Sequence, residues 1–148
     1  MEIKAILSPN RTLCRVDCNS KKRALENIAN YIAEDCPSLD IDELFTALLS
    51  REKLGSTGIG KGIAIPHCRV KDCKETIGML ITLKTPIDFT AIDNQPVDIL
   101  FALLVPDNAN TTHLETLSRL AEKVSQEGFV DNLRNATGNQ ALYQAVIQ

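Results

Sequence analysis

A chain of 148 residues, 44% hydrophobic and 24% charged, suits one globular domain that needs no disulfide or metal staple, because folding at this size removes roughly two-thirds of the unfolded surface from water. The net charge of −3 argues against nucleic acid or an anionic membrane as main partner, since both reward a basic face. No apolar run approaches the ~20 residues of a membrane span, residues 1–9 lack a signal peptide's basic segment and long apolar core, and five cysteines without a CxxC pair fit a reducing compartment, so a cytoplasmic protein without membrane insertion is expected.

Residues Thr12 to Cys18 alternate, with Cys14, Val16 and Cys18 on one side, as a short strand does. Ser20 caps a helix to about Asp35 whose apolar face is Leu25, Ile28, Ala29 and Ile32. Three basic residues follow that cap, where the helix dipole disfavours them; nothing in the sequence accounts for them unless they face an acidic partner. Asp40 and Glu43 have capping-box spacing and open a second helix with Ile41, Leu44, Phe45, Leu48 and Leu49 inside. It ends near Gly55, which can take a left-handed cap.

The stretch from Gly55 to Gly62 holds four of the seven glycines and reads as a loop, followed by a short strand from Ile63 to Ile65. Strands are expected at Thr76–Leu83 and Val97–Val105, each followed by a proline, Pro86 and Pro106, that marks a turn. Asp93-Asn94-Gln95-Pro96 is a further turn. Thr112 and Glu115 form a second capping box, opening a helix that buries Leu114, Leu117, Leu120, Ala121 and Val124 and stops at Gly128. Shorter helices follow at Val130–Ala136 and Asn139–Ile147. No repeat or linker divides the chain, and the elements interleave without strict βαβ alternation. The expectation is a single α/β domain over residues 1–148, a mixed β-sheet flanked by α-helices.

The only histidines are His67 and His113, and imidazole is the side chain that titrates near neutrality unaided. His67 follows glycines, whose backbone N–H groups can converge into an anion nest, and it directly follows Pro66, which narrows its approach. Ser56 and Thr57 add hydroxyl donors. A neutral imidazole beside such a nest has a lone pair and can act as a nucleophile. The same residues also describe an ordinary turn with a surface or half-buried histidine; the spacing is neither a P-loop nor a dinucleotide fingerprint. His113 falls in a helix's first turn, where free N–H groups welcome an anion, or is simply an exposed cap residue. Arg51 can reach forward with a bidentate fork, or sit solvated at its helix end. Lys53, Lys61, Arg69, Lys71 and Lys74 crowd the same stretch, in the manner of a solvated face. A metal site from His67, Cys68, Cys73 and Cys14 or Cys18 fits no zinc spacing, so no metal is expected.

The run Arg51-Glu52-Lys53-Leu54-Gly55-Ser56-Thr57-Gly58-Ile59-Gly60-Lys61-Gly62-Ile63-Ala64-Ile65-Pro66-His67 resembles the active-site signature of the enzyme IIA components of the phosphoenolpyruvate-dependent phosphotransferase system, fructose/mannitol class, and is most similar to its nitrogen-regulatory branch. Ser20 to Glu26, Ala91 to Asp98, Leu100 to Pro106 and Thr112-His113-Leu114 carry the resemblance along nearly the whole chain. It departs at Cys68, where many relatives have glycine.

Membership implies a phosphocarrier without a dedicated cofactor. His67 would accept the phosphoryl group on the ring nitrogen farther from the backbone, and His113 and Arg51 would contact that group. Ser56, Thr57 and the amides of Gly58, Gly60 and Gly62 would supply further phosphate contacts. The implied partners are an HPr-like phosphocarrier as donor and regulated proteins such as potassium-transport or nitrogen-regulation components. The alternatives are a sugar-specific IIA that passes phosphate to a separate IIB, and a binding module that is never phosphorylated.

Overall fold

The computed structural model describes residues 2–108 and 112–148, the side chains of Thr112 and His113 excepted. Its centre is a pair of long apolar strands, β5 (Ile77–Ile87) and β6 (Val97–Pro106), antiparallel from Ile77↔Leu104 to Ile87↔Val97. Both are apolar on both faces, as central strands covered on both sides must be. Met79, Ile81, Leu100, Ala102 and Leu104 face one core; Leu80, Ile99, Phe101 and Leu103 face the other.

Helices α2 (Lys21–Asp35) and α3 (Ile41–Leu54) cover the first face. Their starts are capped as expected: Ser20 accepts from Arg23 N at 3.1 Å and Asp40 from Glu43 N at 2.9 Å. On the other face lie α1 (Ile3–Ile6), α4 (Thr112–Ser125), α5 (Phe129–Asn135) and α6 (Asn139–Ile147). The six-stranded sheet is of mixed direction, a three-layer α/β/α arrangement. Its order is β1 (Thr12–Val16), β5, β6, β3 (Ile63–Ala64), β2 (Gly58–Gly60), with β4 (His67–Val70) also paired to β6.

Several local expectations change. Arg15 has φ +53° and the β1–β5 register shifts between Leu13 and Val16, a bulge that breaks strict alternation. Cys14 therefore packs toward the second core while Val16 and Cys18 pack toward the first. Pro86 does not end its strand: β5 continues to Ile87 through a register irregularity between Thr82 and Ile87, where a missing N–H is tolerated. Gly55 closes α3 with φ +154° and ψ +149°, a glycine-only conformation but not the left-handed cap. In α3, Leu44 and Leu48 are buried, Phe45 and Leu49 half-buried, and Ile41 exposed.

The apolar stripe of α4 divides in two. Leu120 is buried, Leu117 and Val124 are half-buried, and Leu114 and Ala121 are exposed. Leu120 joins the second core with Leu117 and Val124 packed against it, while Leu117, Ala121 and Val124 also border an open cleft. The capping box expected at Thr112 and Glu115 lies outside the described residues. Among the described residues no helix is long and apolar enough to cross a membrane.

Candidate functional site

The stretch read as a loop, Gly55 to Gly62, instead holds the first strand and the turn of a β-hairpin. Strands β2 and β3 pair antiparallel, Gly58 with Ala64 and Gly60 with Ile63. The connecting Lys61 and Gly62 both have positive φ, 59° and 81°, as the tight hairpin turn that matches strand twist requires. Outside contacts tie the turn down. Asp93 accepts from Lys61 N at 3.1 Å, and Arg134 donates to the Lys61 carbonyl at 2.6 Å while gripping Asp98 through Nε and Nη2, both at 2.9 Å.

Beyond β3 the chain turns at Ile65-Pro66 and rejoins β6 as β4, with His67 opposite Leu103. The Pro66 carbonyl accepts from Leu103 N at 2.8 Å. Pro66 itself has no N–H to leave unpaired at the break. His67 is thus the first residue of a strand anchored on the central pair, a rigid mounting for an imidazole.

Both ring nitrogens of His67 have defined partners. Nδ1 lies 2.7 Å from the Ile65 carbonyl, which can only accept, so Nδ1 carries the proton. Nε of Arg51 lies 3.4 Å from Nε2 and can only donate, so Nε2 presents its lone pair. Arg51 also donates through Nη1 to the Gly55 carbonyl at 2.9 Å. The half-buried imidazole stands between two clefts that both reach Arg51 and Leu117. One, of about 530 Å³, adds Ser50, Leu54, Cys68 and Arg69. The other, of about 510 Å³, runs between the hairpin and α4, past Ile59, Lys61 and Ala121. No acidic side chain is among the described residues lining either cleft, although the chain's net charge is −3. A larger cleft, about 750 Å³, opens at the start of α2 beside Asp17 and Asp88 and reaches neither Arg51 nor His67.

The structure brings Arg51 and His67 together. The side chain of His113 lies outside the described residues; its backbone is in the first turn of α4, the helix that walls the second cleft. Ser56 and Thr57 border that cleft, but their hydroxyl protons are committed inward. Ser56 Oγ donates to the Phe89 carbonyl at 2.7 Å and accepts from Gly58 N at 3.0 Å. Thr57, only 4% exposed, gives both its amide and its hydroxyl to Glu52. In this structure Gly58 and Gly60 lie on β2 and take part in the hairpin ladder, and Gly62 lies in its turn.

Glu52 was not legible as part of this neighbourhood. Its side chain is 3% exposed and ion-paired to Lys21 at 2.6 Å. Lys21 also donates to the Phe89 carbonyl at 3.2 Å and to Thr90 Oγ1 at 2.9 Å, which explains a cation at the unfavourable end of α2. The available signal was periodicity: Leu44, Leu48 and Glu52 share one face of α3, so a carboxylate occupies a core register. Beside His67, burial pushes the Cys68 thiol up to about 12, with Cys73 adding to the effect, so it stays protonated at neutral pH. Among the described residues no group of three or more His, Cys, Asp or Glu could hold a metal ion.

Residues 5–148 match the family model described as phosphoenolpyruvate-dependent sugar phosphotransferase system, EIIA 2. The chain is 47% identical over 147 residues to the nitrogen regulatory protein of Pseudomonas aeruginosa, covering 99% of this chain and 96% of that one. Identity to the nitrogen regulatory protein of Escherichia coli is also 47%, over 99% of this chain and 90% of the relative. The crystal structure of the nitrogen regulatory protein IIA-Ntr from Neisseria meningitidis superposes with a TM-score of 0.90 at 38% identity, covering 97% of this chain and 98% of that one. On this sequence match, and with the fold in agreement, the chain belongs to the EIIA type-2 family of the phosphotransferase system, among the nitrogen regulatory proteins.

Proposed function

We propose that this chain is a regulatory phosphocarrier of the nitrogen-related phosphotransferase branch, accepting a phosphoryl group on Nε2 of His67 from a phosphohistidine on an HPr-like carrier. The observation that carries the reading is the pairing of the imidazole: Nδ1–H on the Ile65 carbonyl and the Nε2 lone pair turned to Arg51. In transfer, the donor's P–N bond breaks as the bond from phosphorus to Nε2 forms, and the donor imidazole takes back its electron pair. Such a step asks mainly for in-line positioning and charge stabilisation. Arg51 supplies the charge, and its long contact to Nε2 is readily exchanged for the stronger one to a phosphoryl oxygen.

The absence of acidic side chains among the described residues lining the clefts, with Lys61 and Arg69 at their edges, favours an anionic group and the partner that brings it. His113 enters as a second contact to the phosphoryl group from α4. Contacts from Ser56, Thr57, Gly58, Gly60 and Gly62 belong to the same reading; for Ser56, Thr57 and the Gly58 amide they require donors to leave their present acceptors. The added charge on one face would then be what regulated proteins read, potassium-transport or nitrogen-regulation components among them.

Incubation with phosphoenolpyruvate, the first-stage enzyme and the HPr-like carrier tests this. One acid-labile, base-stable phosphate is expected on the parent, none on His67→Ala, and slowed labelling of His113→Ala. No labelling of the parent, or unchanged labelling of His67→Ala, contradicts the assignment. Onward transfer to a separate IIB domain would identify the sugar-specific role instead.

A further inference from the structure

We infer that the ion pair of buried Glu52 with half-buried Lys21 positions the phosphoryl acceptor, anchoring a ring of hydrogen bonds that sets the tautomer of His67; this rests on the reading of His67 as the accepting residue.

The ring can be followed atom by atom. Glu52 Oε1 accepts from Thr57 N at 3.0 Å and from the Thr57 hydroxyl. The Thr57 carbonyl accepts from Ile65 N at 3.0 Å. The Ile65 carbonyl accepts from Nδ1 of His67 at 2.7 Å, and Nε2 of His67 accepts from Arg51 Nε at 3.4 Å. Arg51 is joined by a peptide bond to Glu52, which closes the circuit. Successive helical residues point about 100° apart, so the end of α3 sends one side chain out to the imidazole and the next into the core.

A carboxylate in that register is unfavourable unless its charge is met. It is met by Lys21 at 2.6 Å and by two donors of one residue, Thr57. Lys21 is itself fixed by the Phe89 carbonyl and by Thr90 Oγ1, and the Phe89 carbonyl also takes the Ser56 hydroxyl. The network therefore clamps the last turn of α3 to Thr57, the residue just before the first strand of the hairpin and the one that registers Ile65.

What depends on this clamp is a proton. The tautomer of a neutral imidazole is chosen by the hydrogen bond its other nitrogen makes. While Ile65 stays in register, Nδ1 holds the proton and Nε2 keeps the electron pair that attacks phosphorus. If Thr57 drifts, the Ile65 carbonyl drifts with it, and the tautomer protonated on Nε2, which has no lone pair on the attacking atom, competes. Glu52 and Lys21 touch neither donor nor phosphoryl group, so they act as positioning residues.

The test compares the parent with Glu52→Gln, which keeps the shape but loses the charge, and with Thr57→Val, which removes one hydroxyl and serves if the first variant does not fold. Two-bond proton–nitrogen correlation spectra of ¹⁵N-labelled, unphosphorylated protein report the tautomer, with the His67 ring signals identified by their loss in His67→Ala. We expect a single Nδ1–H form in the parent and a mixture in the variants. Their transfer rates from the phosphorylated HPr-like carrier at saturation should fall about tenfold, with the half-saturating carrier concentration changed less than about twofold, because attack and not docking is impaired. An unchanged tautomer in the folded variants overturns the inference, whatever the rate does. If the parent takes up no phosphate, the reading of His67 as acceptor falls, and the spectra still decide whether Glu52 sets its tautomer.

Discussion

Arg51 and His67 are sixteen residues apart, one near the end of α3 and one at the start of β4, yet Arg51 Nε lies 3.4 Å from the His67 nitrogen that carries the lone pair. At that length the contact is at the weak edge of hydrogen bonding. It holds the guanidinium beside the proposed acceptor nitrogen without tying up the electron pair.

Arg51→Ala is therefore expected to slow phosphoryl uptake by about a hundredfold, the scale of losing one preorganised charge-stabilising donor. Arg51→Lys should recover only part of this, since a point charge lacks the guanidinium's fixed fork. Single-turnover transfer from phosphorylated carrier, followed by rapid quench, measures both. An alanine variant as fast as the parent would remove Arg51 from the chemistry.

Lys21→Met should lower folding stability by about 3 kcal/mol, because it strips the cation from a carboxylate that stays buried. Urea unfolding of the two proteins measures the difference. Lys21→Met combined with Glu52→Met should regain much of the loss, since removing both partners leaves no orphaned charge. A Lys21→Met variant within about 0.5 kcal/mol of the parent would make the pair a surface-like one.

These residues also show what was readable from the chain. The starts of α2 and α3 were legible because Ser20 and Asp40 act through neighbours three residues on. The long strands β5 and β6 were legible from unbroken apolar runs. Strand β4 was not: His67-Cys68-Arg69-Val70 is short, mixed in polarity and preceded by proline, and exists because its backbone registers on Leu103 to Pro106. The hairpin was hidden for a related reason. Its glycines suggested an open loop, whereas Lys61 and Gly62, both with positive φ, make a tight turn between two strands. The pairing of Glu52 with Lys21 spans two helices and leaves no local trace beyond a carboxylate in an apolar register. Resemblance to the family drew attention to His67 and Arg51; their contact and the ring tautomer needed the fold.

The Cys68 thiol has a pH signature of its own. Burial raises it from 9.0 to about 12, so the fold favours the protonated form. Its contribution to stability is complete below about pH 9 and is lost as pH rises toward 12, at about 1.4 kcal/mol per pH unit within that window. Denaturation of the parent and of Cys68→Ala at pH 7 and pH ~10.5 should show a smaller alkaline loss in the variant. Equal losses would mean that Cys68 is not the responsible thiol. In the same account, native Cys68 resists iodoacetamide at neutral pH.

The most direct test of the central claim is to phosphorylate ¹⁵N-labelled protein with the complete donor chain and find which atom carries the phosphorus. Phosphorus–nitrogen coupling to Nε2 of His67, with Nδ1 still protonated toward the Ile65 carbonyl, is the predicted result. Phosphorus on Nδ1, on His113, or on no histidine would contradict it.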